Sequence, residues 1–352
     1  MLQLLLGGSG SGKTTLLYQR IRTRAEKGEK SILLVPEQFT SSTEGRIYRE
    51  LGDALSGMVE SFSFTSLAEK ILSTEGGAAV QTLSDAGRAV LVRRALEELQ
   101  DNVHYYHRHR RSAAFCQMAA QTIDELKSAG LSGRQLAQLA GACGAESGKL
   151  SELALIFQGY ETLLARSGMD PSDRLELAGA RLEEALARHS LPEFLRDRAV
   201  FIDEFDTFNA PKKRLLGAML AALPSVTVAL CDDGAPLLPG DLSLFSGAKQ
   251  VAAQLRQLAR KNGAEVAVPQ LLRKDLRHRN APGLAAVAEL LETGSCTADA
   301  PAGGAAFCRA QPGGGGPCRC RCHPAADAAG RAVRKDRCGL PRYRQVSCRS
   351  PV

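Results

Sequence analysis

Nowhere in these 352 residues does an apolar run approach the roughly 18 residues that a membrane-spanning helix requires. The opening Met1-Leu2-Gln3-Leu4-Leu5-Leu6 is too short for the hydrophobic region of a signal peptide and runs straight into glycine. Both absences lead us to expect a cytoplasmic chain with no membrane partner. A third absence is local. From Cys296 to Val352 there is no Ile, no Glu and no Met, and Leu340 is the only leucine. Gly, Pro, Ala, Arg and Cys dominate there, and no helical or strand period survives. The same stretch holds 10 Arg and Lys against 3 Asp, and seven of the 10 cysteines. A net charge of +7 ordinarily suggests a nucleic-acid partner. Here the charge belongs to the tail, because the first 295 residues balance 35 basic against 35 acidic side chains.

What is present begins at once. Gly7-Gly8-Ser9-Gly10-Ser11-Gly12-Lys13-Thr14 is a complete phosphate-binding loop of the pattern GxxxxGK[ST]. It follows a short apolar run and leads into a helical pattern, Thr14-Thr15-Leu16-Leu17-Tyr18. A buried strand, an inward-facing turn and the positive end of a helix are the three parts an anion cradle needs. Glycines let the backbone approach phosphate without a Cβ in the way. Lys13 is placed to reach the β- and γ-phosphates of a nucleotide, and Thr14 to ligate magnesium.

Four apolar runs read as buried parallel strands: Leu2–Leu6, Ser31–Val35, Ala199–Ile202 and Val226–Leu230. Helical periodicity fills the gaps, so the expected class is α/β with a doubly wound parallel sheet. Between Thr82 and His189 strands are absent from the pattern. Ser84–Leu99, with Ser84 as N-cap and apolar Val90, Leu91, Ala95 and Leu96, is an amphipathic helix. Ala114–Ser128, Gly133–Ala140, Leu150–Arg166 and Asp173–Arg188 repeat that character. The expected organisation is a first α/β part over 1–81, an all-helical insertion over 82–190, a second α/β part over 191–295, and a disordered tail over 296–352.

Val200-Phe201-Ile202-Asp203-Glu204 is an apolar strand ending in two carboxylates. With a phosphate loop upstream, Asp203 is the expected magnesium partner and Glu204 the group that orients or deprotonates an attacking water. Gln38, just after the second strand, either contacts nucleotide or DNA or caps the next helix. Asp232-Asp233 after the fourth strand reads as an exposed turn more readily than as part of the cleft. Val103–Arg111 is basic with interleaved aromatics, as single-strand binders often are, but reads more readily as a solvated inter-helix loop. Cys116, Cys143 and Cys231 are isolated and read as buried thiols.

Further stretches, taken in order, carry a resemblance. They are Leu33-Leu34-Val35-Pro36-Glu37-Gln38-Phe39-Thr40, Ser61-Phe62-Ser63-Phe64, Leu83-Ser84-Asp85-Ala86-Gly87-Arg88, Ile123-Asp124-Glu125-Leu126-Lys127, Lys149-Leu150-Ser151-Glu152-Leu153 and Ile202-Asp203-Glu204-Phe205-Asp206-Thr207-Phe208. Over roughly residues 1 to 290 the chain resembles the B subunit of AddAB-type (RexAB) helicase-nucleases. The resemblance implies a RecA-like, superfamily 1 helicase-like domain binding ATP and magnesium. It also implies an A-subunit motor partner, action on DNA, mainly single-stranded, and scanning for a recombination hotspot during double-strand break repair. The chain departs from the family in length. The second motor-like domain and the C-terminal exonuclease, with its iron–sulfur cysteines, are not expected in it. Glu204 stands where the family often has glycine. The resemblance implies ATP binding with negligible hydrolysis by this chain alone, since such ATPases complete their site with an arginine from a second domain, worth roughly 10³ to 10⁵ in rate.

The tail begins where the resemblance stops. Cys318-Arg319-Cys320-Arg321-Cys322-His323, with Cys308, Cys338 and Cys348, lacks the C-x₂₋₄-C spacing of a metal knuckle. Out-of-frame translation of a GC-rich gene is the preferred reading, ahead of a native disordered tail and a metal module. One alternative function stays open for the whole: a self-contained P-loop NTPase or small-molecule kinase with the helical block as its lid.

Overall fold

The computed structural model describes residues 1–293 apart from 78–80, 110, 143, 145, 146, 275 and 281. The tail, with all three readings of its cysteines, and Cys143 lie outside the described residues.

The elements in chain order are β1 (Leu2–Gly7), α1 (Lys13–Glu26), β2 (Ser31–Leu34), α2 (Thr40–Leu51), α3 (Asp53–Ser56), β3 (Val59–Phe62) and α4 (Phe64–Glu75). Then come α5 (Asp85–Glu98), α6 (Ala113–Ser128), α7 (Gly133–Ala140), α8 (Ser147–Ser167) and α9 (Pro171–Ala187). The chain returns to the sheet with β4 (Ala199–Ile202), α10 (Ala210–Ala222), β5 (Ser225–Cys231), α11 (Ser246–Lys261), β6 (Gln270–Leu272) and α12 (Pro282–Thr293).

The sheet has six strands in the order β3-β2-β4-β5-β1-β6. Every pairing is parallel, as the α/β reading requires. The four strands read from the sequence are its four inner members. β3 and β6 are additions, and they are the two edges.

Alternation along each strand builds two cores, as expected of a parallel sheet covered on both faces. Leu2, Leu4 and Leu6 of β1 face one side with Ile32, Val200 and Val226, beneath α4, α9, α10 and α11. Leu5, Leu33 and Phe201 face the other, beneath Leu17 and Ile21 of α1 and Ile47 and Leu51 of α2.

Helices α5 to α8 enclose a third core around Val92, Leu96, Ile123, Ile156, Phe157 and Tyr160. Ser84, Ser112 and Ser132 cap α5, α6 and α7, each accepting from a backbone N–H three residues on. Such caps contribute about 1 kcal/mol each. The buried face of α5 matches the expected one at Ala95 and Leu96 and differs at Val90. Val90 is exposed, while Val92, Ala95 and Leu96 are buried, because the helix meets α6 and α8 on the side that Val92 shares with Leu96. Cys116 is buried as expected, and Cys231 is only half-buried.

Helix α9 packs its Leu175, Ala178 and Leu182 into the sheet's core. A polar network ties its start to the helical block. Lys127 Nζ of α6 donates to Asp170 Oδ2 at 2.6 Å and to Asp173 Oδ2 at 2.8 Å, and Tyr160 Oη donates to Asp170 Oδ1 at 2.5 Å. Burial works to lower the Lys127 pKa, but hydrogen bonds to the two aspartates outweigh it and the net shift is upward.

Candidate phosphate-binding site

β1 ends at Gly7 and α1 begins at Lys13, so Gly8 to Gly12 make the whole connection. Gly10 and Gly12 have φ of 79° and 89°, a region that side chains with a Cβ rarely enter. Gly7 is constrained by space instead. A Cβ there would lie 2.4 Å from Ser11 Oγ and 2.7 Å from the Leu272 carbonyl oxygen. Gly12 is the N-cap of α1, no side chain caps the helix, and its first turn carries no acidic residue. The positive end of α1 is therefore left to whatever anion the loop receives.

The polar groups of the loop are held in an expectant arrangement. Lys13 Nζ donates to the carbonyls of Gly7 at 2.7 Å and Gly8 at 2.8 Å. Ser11 Oγ is buried with no hydrogen-bond partner among the described residues. Thr14 is half-buried in the first turn of α1, and Ser9 is exposed on the loop's outer side. These features fit a phosphate-bearing ligand: a cation resting on weak carbonyl acceptors, an orphaned hydroxyl and a run of loop and helix N–H groups.

Asp203 follows β4, which is separated from β1 by β5 alone. Its side chain is almost fully buried. Its N–H donates to Leu34 O at 3.1 Å, and its Oδ1 accepts from the Glu204 N–H at 3.0 Å. Glu204 is exposed and sits at a φ of 62°. Burial pushes its carboxyl pKa up, Asp203 adds to that, and Arg46, Lys13 and Arg277 oppose it. Those five charges therefore share one neighbourhood at the carboxyl end of the sheet. Tyr18 lies with them, its hydroxyl pushed up to about 12 chiefly by burial, and the Arg46 guanidinium stands 4.9 Å over its ring. Gln38 is exposed in the single 3₁₀ turn Glu37–Phe39. Phe39, not Gln38, occupies the N-cap of α2, so the capping alternative fails.

Two residues here escaped the sequence reading. Asp232 is buried, not part of an exposed turn. Its N–H donates to Gly7 O at 3.2 Å and its Oδ1 accepts from Gly234 N–H at 2.7 Å. Only Asp233 is exposed, and it pairs with Lys249. The second is Arg277. The segment after β6 folds over the loop, with Leu276 N–H donating to Gly10 O at 3.0 Å and Arg277 Nη1 donating to Ser9 Oγ at 3.2 Å. An arginine 268 positions from Ser9 could not be placed there from spacing.

A family model described as ADDB, N-terminal matches residues 4–288. The B subunit of the ATP-dependent helicase/deoxyribonuclease of Desulforudis audaxviator (strain MP104C) is 34% identical over 296 residues, which are 81% of this chain and 25% of that protein. Its counterpart of the same name from Moorella thermoacetica (strain ATCC 39073 / JCM 9320) is 32% identical over 299 residues, 81% of this chain and 25% of its own. That of Clostridium perfringens (strain 13 / Type A) is 29% identical over 283 residues, 79% and 24% respectively. The chain thus spans about a quarter of the length of these curated relatives. Among the described residues no helix is long and apolar enough to cross a membrane.

Proposed function

The chain belongs to the ADDB N-terminal family, and on that premise we propose that it is the ATP- and magnesium-binding part of a B subunit in a cytoplasmic helicase-nuclease. The complex it serves pairs it with an A-subunit motor and acts on DNA ends during double-strand break repair, reading a hotspot sequence in single-stranded DNA. The observation that carries the reading is the uncapped helix head built on glycine, with Lys13 and Thr14 at its start and Asp203 one strand away. This arrangement supports the reading of a RecA-like nucleotide site.

The geometry is compatible with these roles. Loop and helix N–H groups receive the phosphates. Lys13 exchanges its two carbonyl acceptors for phosphate oxygens, which are charged and hold an ammonium more strongly. Thr14 and the buried Asp203 hold magnesium, which neutralises charge on the phosphates when bound. Glu204, beside Asp203, is assigned the orienting or deprotonation of an attacking water. Arg277 brings a second cation to the loop from within the same domain.

Slow hydrolysis is expected of the described part in this account, because its strands form a single sheet and such ATPases complete their site with an arginine from a second motor domain. Phosphate release tests the point. We expect turnover no faster than a slow intrinsic NTPase, about 10⁻² s⁻¹ or less, with Lys13→Ala abolishing ATP binding. Faster turnover that survives Lys13→Ala contradicts this role for the loop. Co-purification with an A-type helicase partner tests the assembly.

A further inference from the structure

The helical block carries a second surface that the nucleotide site does not use. Val103 is buried and fixes the start of the segment after α5. Glu152 of α8 then accepts from three successive backbone N–H groups, those of His104, Tyr105 and Tyr106, at 2.8 to 3.1 Å. These bonds hold the Glu152 carboxyl below the usual range although burial works the other way. Beyond them lies one 3₁₀ turn, His107–His109. Its underside is aromatic: the Tyr106 and His109 rings lie 5.3 and 5.7 Å from Phe115.

Anchoring from below fixes what is left above. Tyr105 is 54% exposed, and His104, His107, Arg108 and Arg111 of the same segment are exposed as well. The Lys149 ammonium stands 5.2 Å over the Tyr105 ring. The backbone donors are already taken by Glu152, so an anionic partner must be met by Arg108, Arg111 and Lys149. Aromatic face and flanking cations together suit a polymer offering bases and phosphates in turn. A duplex hides its base faces within the stack, whereas a single strand offers them.

We propose that Tyr105, Arg108, Arg111 and Lys149 form a contact for single-stranded nucleic acid on the helical block. The contact stands apart from the nucleotide reading and holds or fails without it. Tyr105 stacks a base, and the three cations meet neighbouring phosphates.

The test uses the full chain and an oligothymidylate carrying 5-iododeoxyuridine. Photocross-linking followed by peptide mapping is expected to place the adduct on Tyr105. By fluorescence anisotropy, Tyr105→Ala weakens binding roughly five- to hundredfold, and Tyr105→Phe binds as the parent does, which guards against misfolding of the alanine variant. Arg108→Ala and Arg111→Ala each reduce the slope of log affinity against log salt by about 0.7. Adducts confined to the basic tail beyond Cys296, parental affinity in Tyr105→Ala, or equal affinity for a duplex would each overturn the proposal.

Discussion

Lys13 and Lys127 are both half-buried cations, yet their surroundings differ in kind. Lys127 sits between Asp170 and Asp173, with Tyr160 completing the network. Its charge is neutralised inside the protein. Lys13 rests on two neutral carbonyls of the loop it follows. Among the described residues no carboxylate closes an ion pair on it, although Glu204 feels its charge. The same contrast runs through the two regions. At the carboxyl end of the sheet the site is made of backbone, glycine and open charge. At the junction of the helical block, charge is closed upon itself and serves cohesion. A charged residue is read as functional or structural from what balances it, and burial alone does not separate the two cases.

That contrast breaks first at Lys127. Lys127→Met leaves Asp170 buried without its cation and is expected to cost about 3 kcal/mol, read by urea unfolding, while the folded protein keeps its nucleotide affinity. If Lys127→Met lowers ATP affinity as much as stability, the two regions are not separable. Next comes Gly7→Ala, which forces a Cβ against Ser11 Oγ and the Leu272 carbonyl. We expect about 2 kcal/mol of strain from overpacking and a comparable loss of ATP affinity, measured by titration calorimetry. Val92→Ala, in the core of the helical block, should cost about 2 kcal/mol in thermal unfolding. Val90→Ala on the exposed face of the same helix should cost almost nothing. One effect is a gain. Glu204 holds a left-handed φ of 62°, and glycine there should stabilise by about 1 kcal/mol. The raised Glu204 pKa sets the sign with pH for Glu204→Gln. A carboxyl that is harder to ionise when folded costs stability as pH rises through its folded value and costs nothing below its unfolded one. Glu204→Gln should therefore melt slightly above the parent at pH 8, with the difference closing by about pH 4.

Much of this architecture is legible in the sequence, and the rest fails for identifiable reasons. β1, β2, β4 and β5 are buried on both faces and read as continuous apolar runs. β3 and β6 are edge strands, paired on one side only. Val-Glu-Ser-Phe and Gln-Leu-Leu are half-buried and carry no such signal. On α5, Val90 and Leu91 fit an apolar stripe as well as Val92 does, and only the packing of α6 and α8 decides which side is inside. The strand, glycine turn and helix at Gly7 to Thr14 were readable because they are contiguous in sequence. Asp232 was not, since Asp-Asp-Gly-Ala-Pro looks like a turn and its burial comes from β5 lying between β1 and β4. Arg277 was hidden among the neighbouring cations Arg273, Lys274 and Arg279, and only the return of the chain past β6 brings it to Ser9.

The central claim is that Gly7 to Thr14 and Asp203 form one magnesium-dependent nucleotide site. Calorimetric titration of ATP into the chain, with and without magnesium, tests it most directly when repeated on Lys13→Ala and Asp203→Asn. The account predicts saturable binding by the parent, loss of binding in Lys13→Ala, and in Asp203→Asn residual binding that magnesium no longer strengthens. Equal affinity in all three proteins, or parental binding indifferent to magnesium, would contradict it.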